Sequence, residues 1–249
     1  MSRIVGRWWW WLLAGLPLLA FLAIPVVALI LKSVGNRIAT SSEFNDAIRL
    51  SFETSLASIV VTVVFGTPLA FAIARYQFPF RKAVNVLFDL PIVFPPAAAG
   101  IALLLAFGRE GLIPTSFGAT SIAVVMAQCF VSSPFYLRAA INAFSATDTG
   151  IEECAALEGA RPLEVFAKVV MPQCSSQLAS GAVTSWARAL GEFGATILFA
   201  GNLAGRTQTM PLAIYIGWEN DLDQAITLSA IMLGIAFLAI LVVRAFGKQ

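Results

Sequence analysis

Uncharged, mostly apolar stretches recur along this chain, separated by short clusters of charge. They run over 8–31, 54–74, 90–108, 111–137, 169–187 and 224–243. The first holds 24 residues, which at about 1.5 Å per helical residue crosses a hydrocarbon layer of about 30 Å. In lipid, each backbone N–H and C=O must be bonded within its own segment, so the pattern predicts helices. Extended to their flanking residues, the stretches predict about six membrane spans, at 8–31, 52–75, 90–107, 121–143, 172–200 and 224–243. The fifth is unusually polar, with Ser175, Ser176, Gln177, Ser180, Thr184 and Ser185. Such residues face a wet path or bond to neighbouring helices. The small residues Ala179, Gly181, Ala182, Ala187 and Ala189 fit the second role as well as the hydroxyls fit the first.

Composition strengthens this reading. Of the 249 residues, 59% are hydrophobic and 12% charged, against about 45–50% and about 25% in soluble domains. The expected class is therefore an all-α integral membrane protein forming a single transmembrane domain. Arg3 and Arg7 precede the first apolar run, as in a signal peptide. The run is longer than the apolar core of about 7–15 residues in a cleaved signal, so a retained span is expected. Trp8, Trp9, Trp10 and Trp11 stand at its entrance, where indole rings favour the headgroup layer.

Charge then orients the bundle. With the N-terminus inside, the inner segments hold ten of the sixteen basic residues: Arg3, Arg7, Arg75, Arg81, Lys82, Arg138, Arg161, Lys168, Arg244 and Lys248. The outer segments hold five, Lys32, Arg37, Arg49, Arg109 and Arg206, and Arg188 lies within a span. The excess of Lys and Arg marks the cytoplasmic side. Both termini and the segment 145–171 are thus expected in the cytoplasm, and 202–223 outside.

Several chemistries are disfavoured. The chain has no histidine, the commonest metal ligand and general base. Cys129, Cys154 and Cys174 form no C-x-x-C pair and read as small packing residues. The net charge of +2 is too mild to suggest nucleic acid. No G-x-x-x-x-G-K-[ST] loop is present, so ATP is not expected to bind this chain by that route. An intramembrane enzyme would have only Asp89 and Glu192 as acidic candidates near span level.

The segment from Asp148 to Pro172 carries the most information. Thr149 and Glu152 are spaced as a capping box, Gly159 suits the position that ends a helix, and Pro162 suits one that opens a helix. Leu163, Phe166 and Val169 or Val170 recur at helical spacing, giving one apolar face, and Pro172 is expected to open the next span. A helix–turn–helix with acidic Asp148, Glu152, Glu153, Glu158 and Glu164 is therefore predicted. Cys154, Ala155 and Ala156 form a small face open to close approach.

This stretch resembles the "EAA" loop of importer-type ABC transporter permeases. Glu153-Cys154-Ala155, Gly159, Val169 and Met171-Pro172 fall at the family's spacing, with Cys154 in place of alanine and Met171 in place of leucine. The resemblance implies the type I importer permease fold. It implies a loop at 145–171 that docks on a separate ATP-binding subunit, with Glu152, Glu153, Cys154, Ala155, Gly159, Pro162, Val169 and Pro172 as its working residues. Further along, Arg188-Ala189-Leu190-Gly191-Glu192-Phe193-Gly194-Ala195-Thr196, Gly201-Asn202-Leu203 and Thr207-Gln208-Thr209-Met210-Pro211 resemble the permeases for molybdate, tungstate and sulfate. The molybdate branch looks nearest to these strings.

On that resemblance Arg188, Gly191, Glu192, Phe193, Gly194 and Thr196 are candidates for the translocation path or its gate. Arg188 and Glu192, four apart on a helix, either pair with each other or leave Arg188 to attract an oxyanion, and Gly191 and Gly194 could expose N–H groups to it. Asn202, Arg206, Thr207, Gln208 and Thr209 are candidates for contact with an extracytoplasmic binding protein, or form a simple surface loop. The implied assembly is a homodimer of this chain in the cytoplasmic membrane with two ATP-binding subunits and one binding protein. Any ATP and Mg would sit in the partner subunit, with no cofactor here. The implied substrate is molybdate or tungstate. Sulfate or thiosulfate is the alternative, and an autonomous channel would not need the EAA loop.

Overall fold

The computed structural model describes residues 8–35, 42–115 and 117–246. Arg3, Arg7, Arg37 and Lys248 lie outside the described residues, as do the side chains of Trp8 and Trp9. The described chain is helical, with no strand. Its helices in order are α1 (Trp8–Val34), α2 (Ser42–Arg75), α3 (Arg81–Val93), α4 (Pro96–Phe107), α5 (Ser121–Ala146) and α6 (Thr149–Leu157). Then come α7 (Pro162–Val165), a π turn (Phe166–Val170), α8 (Met171–Leu190), α9 (Gly194–Phe199), α10 (Met210–Asn220) and α11 (Leu222–Phe246).

By length and composition, α1, α2, α5 and α11 suffice to cross a membrane. Two of the expected spans are instead broken. The segment 90–107 is divided at Phe94 and Pro95 between the end of α3 and α4, because Pro95 and Pro96 supply no N–H and keep the preceding residues extended. The segment 172–200 is divided at 191–193 between α8 and the six-residue α9. α2 begins ten residues before the expected 52. Its early charges, Arg49 and Glu53, pair along the helix at 2.6 Å and so do not interrupt it.

Pro172 lies in the first turn of α8, as expected, but no break precedes it. The chain stays helical from Pro162 to Leu190 through the π turn, with Met171 N–H donating to Phe166 C=O. Within that run the expected apolar face is only partly inward. Phe166 packs edge-on to Phe71 and Val170 is buried, while Leu163 stands exposed.

α5 is the central helix. It packs along α2 on one side and α8 on another, and also meets α3, α4 and α9. Small residues bring these backbones close. Gly66 of α2 faces Tyr136 and Leu137 of α5, and Gly181 of α8 faces Ala139 and Tyr136. Polar links tie the same seams. Thr67 Oγ1 and Tyr136 OH share a 2.5 Å hydrogen bond, Ser185 Oγ donates to Ser132 C=O at 2.8 Å, and Trp186 Nε1 donates to Ser55 Oγ at 3.0 Å. Lipid tails are as apolar as leucine, so such packing and bonding, rather than hydrophobic exclusion, hold helices together. The outer faces of α1, α2 and α11 are covered with exposed Leu, Val, Ile and Phe, as a lipid-facing surface requires. α1 lies against α11, with none of its apolar stretch buried.

A Cβ at Gly181 would lie 2.5 Å from the Ala139 Cβ, and such overpacking costs about 1–3 kcal/mol. Gly181→Val is expected to lower the melting temperature of the detergent-solubilised protein clearly. Gly15→Ala, where a Cβ meets nothing within 4 Å, is expected to leave it unchanged.

Candidate functional site

Two loops lie at opposite ends of α2. At its C-terminal end, Arg75 reaches Thr147 and Glu152 in the segment 145–171. At the other end, Met210 N–H donates to Ser51 Oγ at 2.7 Å, and Gly205 lies beside Asp46. Thirty-four helical residues extend about 51 Å, so the two loops stand farther apart than a hydrocarbon core is thick.

The first loop is built from local signals. Asp148, not Thr149, caps α6, its carboxylate accepting from Gly150 N–H at 2.9 Å. The expected Thr149–Glu152 box does not form, because Glu152 turns away to Arg75. α6 ends in a Schellman motif. Gly159 takes φ +90°, its N–H donates to Ala156 C=O at 3.0 Å, and Ala160 N–H donates to Ala155 C=O at 3.1 Å. α7 starts with Pro162 in its first turn, and Glu164 accepts from the Arg161 N–H at 3.0 Å. That bond, with help from Lys168, holds the Glu164 carboxyl below its ordinary pKa.

Around this frame Glu153, Cys154, Gly159 and Pro162 are exposed, Ala155 and Val169 are half-buried, and Pro172 is exposed on α8. Ile151, Leu157 and Leu163 add exposed apolar bulk, with Leu157 88% accessible. The result is an acidic and apolar knob with a small-residue patch.

The second region centres on the break between α8 and α9. Glu192 is 1% exposed. One carboxylate oxygen lies 2.9 Å from Arg188 Nη1, and the other accepts from Ala195 N–H at 2.9 Å. Of the two roles open to Arg188, the structure shows the pairing. Gly194 does not offer its backbone to an open cavity. A Cβ there would meet Pro96 at 2.9 Å and Ala97 N at 3.1 Å, so α9 packs directly on the start of α4. Gly191 is exposed, Phe193 stacks obliquely on Tyr215 with ring centroids 5.5 Å apart, and Thr196 is fully buried.

In the loop after α9, Thr207 and Thr209 are fully buried, and Thr207 Oγ1 accepts from Leu203 N–H at 2.9 Å. Neither side chain can meet another protein in this conformation, because the loop folds back over both. Asn202 and Gln208 are half-buried and Arg206 is exposed. Arg206 lines a cleft of about 740 Å³ beside the first turns of α2, with Asp46, Arg49, Glu53 and Thr120.

A further groove, of about 530 Å³, lies between α5, α8 and the end of α11. Asn142, Ser176, Gln177, Ser180 and Thr184 face it, and Ser176 Oγ donates to the Phe246 carbonyl. The polar residues of the fifth predicted span therefore divide by face, with Ser185 bonded inside, Ser176, Gln177, Ser180 and Thr184 on the groove, and Ser175 exposed and donating to the Pro172 C=O. Among the described residues no three His, Cys, Asp or Glu side chains gather as a metal site.

The sequence profile of the binding-protein-dependent transport system inner membrane component family matches residues 63–248. The chain belongs to that family. It is similar to the molybdenum transport system permease protein ModB of Mycobacterium tuberculosis, with 39% identity over 91% of this chain and 90% of ModB. It is also similar to the sulfate transport system permease protein CysW of Synechococcus elongatus, with 32% identity over 86% of this chain and 76% of CysW. The fold matches the crystal structure of a bacterial ABC transporter involved in import of the acidic polysaccharide alginate. The TM-score is 0.75 at 16% identity, covering 98% of this chain and 97% of the other. That transporter in complex with an alginate pentasaccharide-bound periplasmic protein gives a TM-score of 0.70 at 18% identity, covering 95% and 92%. The protein is thus an ABC importer permease subunit of the inner membrane, a transport component.

Glu192 serves two partners in this permease. Glu192→Ala leaves Arg188 and the Ala195 N–H without it, and an orphaned buried polar group costs about 1–3 kcal/mol. Glu192→Gln keeps an acceptor for Ala195 and is expected to lose less. Thermal unfolding in detergent is expected to rank wild type above Glu192→Gln and Glu192→Gln above Glu192→Ala.

Proposed function

We propose that this permease moves molybdate or tungstate across the cytoplasmic membrane as a homodimer, driven by two separate ATP-binding subunits and fed by an extracytoplasmic binding protein. The observation that carries the substrate is the similarity to ModB over nearly the whole of both chains. It includes the region of the strings Gly191-Glu192-Phe193-Gly194-Ala195-Thr196 and Thr207-Gln208-Thr209. The 32% identity to CysW keeps sulfate as the second reading.

The groove between α5 and α8 fits a tetrahedral dianion that must be carried and then released. An anion needs replacement for its water shell in the membrane. The hydroxyl of Ser180 and the amides of Asn142 and Gln177 can donate without fixing a permanent positive charge, which keeps binding weak enough for exit, while Thr184 Oγ1 donates to the Ser180 C=O at 2.8 Å. Arg188, paired with Glu192, adds little net charge to the path. Strong selection then falls to the binding protein, for which Arg206, with Asn202 and Gln208 behind it, is the candidate contact.

The knob around Glu153 is the candidate docking point for the ATP-binding subunit, which would hold the ATP and Mg. In proteoliposomes of the complete transporter, Glu153→Lys and Gly159→Val are expected to cut molybdate uptake per ATP hydrolysed at least about 10-fold while leaving insertion intact. Normal uptake by both variants would refute the coupling role. In the wild type, excess tungstate is expected to compete with molybdate and excess sulfate to compete poorly. Equal competition by sulfate would move the assignment to the sulfate reading.

Cys154 is exposed, whereas Cys129 is half-buried and Cys174 buried. An impermeant thiol reagent is expected to label Cys154 in inside-out vesicles and to spare it in sealed cells. Labelling in sealed cells would place the loop on the wrong side for ATP coupling.

A further inference from the structure

A push on the coupling loop does work only if the loop is fastened to the spans. α6 buries none of its own side chains and rests on α7 and the π turn. Packing alone gives it little hold. Among the described residues, one ion pair leaves this loop for a long helix, and it joins Glu152 to Arg75, the last residue of α2. The two side chains are only 17% and 12% exposed, so salt screens the pair weakly.

Arg75 Nη2 also donates to Thr147 Oγ1 at 2.5 Å, and Thr147 Oγ1 donates onward to the Phe144 C=O at 2.8 Å. One guanidinium therefore joins the end of α2, the end of α5 and the middle of α6. A buried pair of this kind adds little net stability over an apolar replacement. Its attested use is to fix one geometry among several.

α2 carries that geometry to the far side. Its other half holds the chain beyond α9 through Ser51 and Met210, and the end of α8 through Ser55 and Trp186. We propose that Arg75 is a positioning residue for transport. Through Glu152 it straps α6 to α2, so that displacement of α6 by the ATP-binding subunit moves α2 and, with it, the outer loop at 201–210. This rests on reading 145–171 as the coupling loop. Glu152 faces inward to the strap, and its neighbour Glu153 faces outward to the partner.

The test uses the complete transporter in proteoliposomes, with molybdate uptake and ATP hydrolysis measured together. Glu152→Gln keeps an acceptor for Arg75 and is expected to fold. It is expected to lower uptake per ATP about 5-fold or more, the low end of measured couplings between sites, with the ATP-binding subunits still co-purifying. Arg75→Gln is expected to do the same. The exchanged pair Arg75→Glu with Glu152→Arg is expected to return the ratio to within about 2-fold of wild type.

Glu153→Lys in the same vesicles separates the two ideas. If it transports normally, the coupling reading fails and the strap with it. If it uncouples while Glu152→Gln stays within about 2-fold of wild type, the strap alone is overturned. Loss of the ATP-binding subunits from Glu152→Gln would also overturn it, since the pair would then serve docking and not transmission.

Discussion

A peptide group left unpaired in hydrocarbon costs several kcal/mol, and this constraint decides where the helices of this permease can break. Both interruptions, at Phe94 and Pro95 and at 191–193, are placed against protein. α9 packs on α4, with Gly194 at the start of one touching Pro96 at the start of the other. The carboxylate of Glu192 then supplies an acceptor for an N–H that the short helix cannot satisfy by itself. An acidic residue is tolerated at that depth because Arg188, one turn earlier, neutralises it. The signature around Glu192 is thus first a repair of a broken helix. Any role in gating is built on that repair, since moving Glu192 would free Arg188 and the Ala195 N–H together.

Much of the fold was legible because lipid imposes a coarse rule. Charge-free runs located the helices that span or nearly span, and Gly159 announced a left-handed turn that the structure contains at φ +90°. The same rule failed where charges were paired locally. Arg49 and Glu53 bond to each other, so α2 runs on through them to Ser42. α3 and α10 were missed as separate helices because neither is a charge-free run long enough to register. Pro172 stands in the first turn of α8 as its position suggested, and what the pattern did not give is the π turn that joins α8 to α7 without a break.

The site was legible in type but not in partnership. Glu152 fits a capping box on spacing alone, and only the fold brings Arg75, 77 positions away, to claim it. Thr207 and Thr209 look like surface residues because they are polar and follow a Gly-Asn turn. They are buried because the loop closes on itself, with Thr207 bonding back to Leu203. The hydroxyls of α8 carried a real signal. Their division into a groove-facing set and the packed Ser185 depends on which face α5 occupies, and sequence spacing does not give that.

These points bear on how one subunit can be both sealed and mobile. Its seams are lined with alanine, glycine and serine, and interhelical hydrogen bonds in membranes average only about 0.6 kcal/mol. Helices joined this way can slide by small steps without large loss. The side-chain connections of α2 run along its length, from Ser51 with Met210 through Ser55 with Trp186 and Thr67 with Tyr136 to Arg75 with Glu152 at its end. A helix tied at several levels moves together with the neighbours it is tied to. That arrangement suits a transporter whose chemical energy is released on one side of the membrane and whose cargo must first be admitted on the other.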